Sequence, residues 1–421
     1  MTRMAKLKMP TVNVAFRERG ITAIDRSQRG IVLLILEEEN KSLTQDYLTL
    51  YTVDDIPTDA TEENQEQMRL ALTGYQTTPQ KVLVYFISPK NTKTGETVVQ
   101  NGDDPVDDDL DSTDTTTSTS VTPSTITVTE EVALTSAEKY AEALKTIETA
   151  DFDYLAVPQI RSSDMSNKNT DGYYIATWIK NMRENKDVKI KAVLPNCNAD
   201  NEGIINFTNT IIRSSSANYT AAKYCSRVAG ILAGTPMTIS ATYAPLPELI
   251  EVEANTYDEM DSRIGKGEFF FFNDGNQIKV ARGINSFVTT YDGKGDDFKF
   301  AKIVDILDMI HDDIKKTASD NYIGKYANSS SNRALLVSAI DEYFKTLEAE
   351  GLLEVGQNTA YIDIEAVKTW RVANGLNTRD EVESMSDEEI KELNLHENVF
   401  IACDLSVLNA MENITINCVI E

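Results

Sequence analysis

The sequence predicts a Rossmann-like α/β domain followed by a C-terminal α+β core domain, with an extended strand arm at each end. Three observations carry this. Continuous apolar runs alternate with amphipathic helical patterns between residues 28 and 240, the mark of a largely parallel sheet covered by helices. From about 241 a hairpin, a block of helices and further strand patterns follow in separate groups. Both termini carry period-two alternation with little room to turn back. The expected organisation is an arm over 1–27, an α/β domain over 28–240 with an insertion at 91–133, an α+β core over 241–411, and an arm over 412–421.

In the first arm, Val12, Val14 and Phe16 alternate with Asn13, Ala15 and Arg17, and Gly20 interrupts. The run "GIVLLILE" at 30–37 predicts a strand buried on both faces. "ATEENQEQMRLAL" predicts a helix and "KVLVYFIS" a second buried strand. "SAEKYAEALKTIETA", "GYYIATWIKNMREN" and "NYTAAKYCSRVAGILAG" predict three more helices, with strands "FDYLAVPQ" and "VKIKAVLP" between them. The segment 91–133 is rich in Thr, Ser and Asp, lacks apolar periodicity and reads as a mobile surface insertion.

"EFFFFNDGNQIKVARGINSFVTT" predicts a hairpin turning at Asn273-Asp274-Gly275 and then a third strand. In "FKFAKIVDILDMIHDDIKKT", Phe300, Ile303, Ile306 or Leu307, Ile310 and Ile314 line one helical face. "SNRALLVSAIDEYFKTLEAEG" is a second such helix, ended by Gly351. A short strand "AYID" and helices "IEAVKTWRVANG" and "SDEEIKELN" follow, the last with a capping box of Ser386 and Glu389. The chain finishes with two strand patterns, "NVFIACDLSVL" and "NITINCVIE". In the second, Ile414, Ile416, Cys418 and Ile420 share one face.

Composition excludes several functions. The 421 residues carry 40 Lys and Arg against 67 Asp and Glu, a formal charge of −27. Nucleic acid and anionic membrane surfaces would be repelled on average. The four cysteines, Cys197, Cys225, Cys403 and Cys418, form no CxxC pair and read as buried thiols of a reducing compartment. "MTRMAKLKMP" has no apolar stretch after its basic start, so synthesis and folding in the cytoplasm are expected, without membrane insertion.

The chemistry-bearing patterns are thin. His311 and His396 are the only histidines, and neither has a partner at metal-ligand spacing. No G-x-S-x-G elbow supports nucleophilic catalysis. The P-loop pattern is absent, and "RIGKGEF" lacks the Ser or Thr after its Lys. No GxGxxG follows the first strand, where Glu37, Glu38 and Glu39 oppose phosphate binding. The acidic run Asp103–Asp114 lacks the Gly and the bidentate Glu of an EF-hand loop. No catalytic residue, metal or cofactor is expected. What remains is a large acidic chain with strand edges at both ends, suited to strand addition between subunits. Burying Ile414, Ile416, Cys418 and Ile420 would contribute roughly 5–10 kcal/mol as an upper bound. Other self-assembling virion or surface-layer proteins, or a nucleotide-binding α/β enzyme, stay open at this point. So does the last strand pairing within its own chain.

The order of motifs narrows this. "MPTVNVAFRERG", "RGIVLLIL", "ALTGYQTTPQKVLVYFI", "DFDYLAVPQI", "AAKYCSRVAGILAGTPMTISATYAPL" and the helical stretch from "FVTTYDGKGDDFKFAKIVDILDMIHDD" onward resemble the contractile tail sheath proteins of myophages and R-type bacteriocins, in their compact Gram-positive type. The tail from "SMSDEEIKELN" to "NITINCVIE" is similar too, and only 91–133 departs from the pattern. The resemblance implies subunits stacked as hexameric rings around an inner tube protein, in a helical lattice joined to baseplate and tail-terminator proteins. It implies assembly in the bacterial cytoplasm and release on lysis. It further implies terminal arms that add strands to neighbouring subunits and hold while the lattice contracts, with no nucleotide consumed. Carried onto this sequence, the arms are Val12–Phe16 and Ile414–Ile420. The receiving strand lies within Val399–Leu408, with Val399, Ile401, Cys403 and Leu405 on one face. The tube-facing candidates are Lys315 and Lys316 on one helix, and Lys368 and Arg371 on another.

Overall fold

In the computed structural model, the structure describes residues 24, 29–40, 42–43, 47–87, 92–98, 127–133, 136–160 and 171–420. The chain forms two compact units, Gln28–Asp308 with Asn409–Glu421, and a second that includes Met309–Leu408.

The first unit begins with β1 (Ile31–Glu37), β2 (Leu48–Leu50), α1 (Glu62–Leu72) and β3 (Lys81–Ile87). A two-stranded antiparallel ribbon follows, β4 (Thr92–Val98) and β5 (Thr127–Ala133). Then come α2 (Ser136–Thr146), β6 (Tyr154–Ala156), α3 (Asp171–Glu184), β7 (Lys191–Pro195) and β8 (Ile204–Phe207). Short strands β9 (Ile212–Ser214) and β10 (Asn218–Tyr219) precede α4 (Ala221–Ala233). The unit continues through β11 (Leu249–Val252), α5 (Tyr257–Gly265), β12 (Glu268–Phe269), β13 (Phe271–Asn273) and β14 (Ile278–Val280).

The main sheet has seven strands in the order β12-β8-β7-β6-β1-β3-β2. Every pairing is parallel except β2 on β3 at one edge. The continuous apolar run of β1 explains its central place. Ile31 to Leu36 are all fully buried. Val32, Leu34 and Leu36 pack with Met68 of α1 and Val228 of α4 on one face; Ile31, Leu33 and Ile35 pack with Leu144 of α2 and Ile179 of α3 on the other. Helices α1 and α4 cross closely because residue 230 is glycine. A Cβ there would lie 2.4 Å from the Ala71 carbonyl oxygen.

The structure departs from the sequence pattern at several points. The run "EFFFF" divides at Phe270: β12 joins the edge of the main sheet, while β13 pairs with β14 across the Asn273–Gly275 turn. The first unit therefore continues past 241, to Asp308. The expected third strand does not form. The backbone of 284–289 bonds elsewhere, through an Ile284–Phe300 bridge, Ser286 N to Ile204 O, and Val288 and Thr289 N to Asp200. The flanks of the 91–133 insertion form the β4–β5 ribbon, which suits their threonine content; its acidic run lies outside the described residues.

The helix α6 (Ala301–Thr317) carries polar groups that the sequence would leave in solvent. Asp308 is buried, with Arg183 bound at 2.8 and 2.9 Å and Lys191 Nζ at 2.8 Å. Burial pushes the Asp308 carboxyl up, but Lys191 and Arg183 hold it at about 2. Asp305 accepts from Tyr154 Oη at 2.7 Å and pairs with Lys191 at 3.0 Å. Burial raises the Asp305 carboxyl despite Lys191. These charges fix α6 under β6 and β7 by satisfied ion pairs rather than by apolar packing alone.

In the second unit α6 ends in a π-helical turn, Ala318–Tyr322, followed by α7 (Ser330–Ala349), β15 (Thr359–Ile362), α8 (Ile364–Ala373), α9 (Arg379–Ser384), α10 (Asp387–Glu392) and β16 (Ile401–Asp404). The Ser386–Glu389 capping box is present. Gly351 terminates the turn after α7 with φ +74°. A small core of Ile362, Val367, Val382, Ile390 and Leu395 holds the last helices together. Asp313 is buried and accepts from Tyr343 Oη at 2.5 Å.

Candidate assembly interface

The structure gives the β1–α1 junction a definite occupant. Glu38 is buried there and accepts from Thr61 N at 3.0 Å and Asn64 Nδ2 at 2.9 Å. Burial raises its carboxyl, but the Thr61 and Asn64 hydrogen bonds hold it below the usual range. The protein's own carboxylate thus sits at the N-terminus of α1, where a phosphate would bind. His311 bonds its neighbour Asp312 at 2.7 Å, and the His396 ring lies 6.0 Å from that of Trp370, tilted by 58°. Among the described residues no group of His, Cys, Asp and Glu could hold a metal ion, and no helix is long and apolar enough to cross a membrane.

The distinctive surface lies on the small sheet of the second unit. Strands β15 and β16 pair antiparallel, Ala360 opposite Cys403 and Ile362 opposite Ile401. These four share a face. Ala360 and Ile362 are buried, whereas Ile401 is half-buried and Cys403 exposed. The Ala360 N–H donates to Asp341 of α7 at 2.7 Å, so the outer edge of β15 has a side-chain partner. Among the described residues no strand pairs the outer edge of β16. A groove of about 590 Å³ runs beside that edge, lined by Tyr322, Ile323, Leu336, Val399 and Ile401. Ile323 is 70% and Val399 41% exposed. The π-helical turn builds one wall, its Ile323 N–H reaching Ala318 O at 2.9 Å; such turns often mark functional positions. Among the described residues, the core-side face of this sheet is left partly open at Ile401 and Cys403.

Residues 408–420 form no strand with the other described residues. Ile414, Ile416 and Ile420 are 73, 78 and 96% exposed. Cys418 is exposed as well, as is Cys403, so two of the four thiols read as buried are not; only Cys197 and Cys225 are buried. The Cys403 thiol is pushed up to about 11 by burial, with the Asp341 and Asp404 carboxylates adding to it. Val12, Val14 and Phe16 lie outside the described residues. Of the expected receiving residues, Ile401 and Cys403 lie in β16; Val399 precedes it and Leu405 follows it.

The basic candidates separate. Lys315 and Lys316 are exposed at the end of α6. Lys368 is only 9% exposed and bonds Glu365 at 3.0 Å, and Arg371 is bonded to Asn377 and to the Asn394 carbonyl. Asp341 and the π-helical turn carry no sequence signal, because both act through tertiary neighbours.

Comparison with known proteins places the chain in a family. Residues 134–286 match the phage tail sheath protein central domain and residues 293–421 the phage tail sheath C-terminal domain. The chain is 31% identical over 405 residues to a tail sheath protein of Clostridium phage phiCD119, covering 96% of this chain and 97% of that one. Its fold is similar to a sheath tail protein from Desulfitobacterium hafniense, with a TM-score of 0.62 at 21% identity over 84% of this chain and 94% of the other. It is similar also to the helical sheath of the anti-feeding prophage in its contracted state, with a TM-score of 0.59 at 13% identity over 99% and 100%. The chain belongs to the phage tail sheath family, as a structural subunit and not an enzyme.

Proposed function

We propose that this chain is the subunit of a contractile sheath, polymerised as stacked hexameric rings around an inner tube by strand exchange between neighbours. The observation that carries the reading is complementary incompleteness. The outer edge of β16 lies beside an apolar groove, and the C-terminal segment exposes an alternating apolar face with no strand partner among the described residues. A neighbour's Ile414–Ile420 laid along β16 would bond its main chain to the edge and set its isoleucines into the groove. Val12–Phe16 of another neighbour would extend the same sheet. Lys315 and Lys316 at the end of α6, and Lys368 and Arg371 of α8, are the candidate tube-facing residues, and greater exposure favours the first pair. Baseplate and tail-terminator proteins would close the two ends of the lattice, and assembly would take place in the bacterial cytoplasm before release on lysis.

Negative-stain microscopy of the purified protein tests the reading. Wide hollow tubes, in two states of different diameter, are expected. A chain that stays monodisperse at high concentration and never co-assembles with a tube protein would contradict it.

A further inference from the structure

Among residues 411–420 every side chain is exposed except one. Glu412 is 8% exposed, while Met411 before it is 90% exposed. Its carboxylate is gripped on both oxygens. Oε1 lies 3.0 Å from Ser240 Oγ and 2.6 Å from Thr242 Oγ1, and Oε2 accepts from Arg282 Nε at 2.8 Å. The cradle is itself braced. Thr242 Oγ1 accepts from Gly283 N at 2.9 Å, and the Arg282 guanidinium lies 5.2 Å over the Phe300 ring. A desolvated carboxylate with a cation and two hydroxyls is held far more firmly than an exposed pair. It stands immediately before the residues that alternate.

We propose that Glu412 is a positioning residue for assembly: it pins the root of the C-terminal segment to the Ser240–Thr242–Arg282 cradle, so that a second copy captures a strand with a fixed origin. This rests on the strand-exchange reading above. A pinned root leaves only the residues after it to be ordered on capture, and ordering is the main entropic cost of taking up an extended segment. It also gives the link a defined point through which one subunit body pulls on the next.

The test uses the full chain with Glu412→Ala, Glu412→Gln and Thr242→Val, beside a chain truncated after Glu412. Three quantities are read: amide hydrogen exchange over 409–414 in the unassembled subunit, the critical concentration for tube formation, and thermal unfolding. Glu412→Ala should speed exchange at the root and raise the critical concentration at least tenfold, with unfolding of the body changed far less. Glu412→Gln, which keeps the shape and one acceptor, should recover part of the loss. If Glu412→Ala does not fold, Thr242→Val, which keeps the shape and removes one donor, is read in its place and should give a smaller rise of the same sign. Unchanged root exchange or unchanged critical concentration overturns the proposal. If truncation abolishes assembly while Glu412→Ala assembles like the parent, only the anchor falls. If the truncated chain assembles normally, the strand-exchange reading falls with it.

Discussion

Single residues decide how the first unit holds together. Asp308 satisfies two buried cations, Arg183 and Lys191, so Asp308→Ala removes the bidentate partner of Arg183 and leaves Lys191 with Asp305 alone. It should destabilise the subunit by roughly 3–5 kcal/mol, measured by denaturant unfolding. The same carboxyl predicts the acid limit. Held at about 2 in the fold against 3.8 unperturbed, it stabilises the native state fully above pH ~4, by about 2 kcal/mol, and loses that as pH falls toward ~2. Asp305, whose carboxyl is raised, acts oppositely and is relieved by protonation. Asp308→Asn should flatten the stability profile of the unassembled subunit between pH ~4 and ~2. Packing gives a second case. Gly230→Ala would place a Cβ 2.4 Å from the Ala71 carbonyl oxygen and 2.8 Å from that of Thr73. Backbone cannot yield as a flexible side chain can, so a loss of roughly 1–3 kcal/mol is expected in thermal unfolding.

At the scale of elements, the receiving edge and the donated segment make separate predictions. Ile416 is exposed in the isolated chain, so Ile416→Lys should leave monomer stability unchanged within about 0.5 kcal/mol. It should nonetheless block polymerisation, read by sedimentation, because the lysine would have to enter an apolar groove. The elements with strong local signals were legible from sequence. The unbroken apolar run of β1, the cap of α10 and the amphipathic stripe of α6 each follow from their own residues. Others were not. Helix α5 needs its Thr256–Glu259 capping box to declare itself, and the split of "EFFFF" into β12 and β13 depends on which sheet each half meets. The burial of Asp308 and Asp313 cannot be read from the helix alone because their partners, Arg183, Lys191 and Tyr343, are distant in sequence. The arms were visible as alternation, but alternation alone could not say whether the partner strand was in the same chain.

At the scale of the whole molecule, the account separates what stays fixed from what links. The first unit is braced by a doubly covered parallel sheet and a buried ion network. In the second, no strand among the described residues pairs the outer edge of β16, and residues 413–420 are exposed without a strand partner among them. Stable bodies joined by main-chain strands suit a lattice whose subunits change orientation without letting go. The charge of −27 makes like bodies repel in solution, which favours directed strand contacts over indiscriminate association. The central claim is that a neighbour completes β16. A cryo-electron microscopy reconstruction of the assembled polymer tests it most directly. The account predicts density along the outer edge of β16 that traces to residues 413–420 of another subunit, with their isoleucines in the groove beside Val399 and Ile401. An empty edge, or an edge filled by the chain's own C-terminal segment, would contradict it.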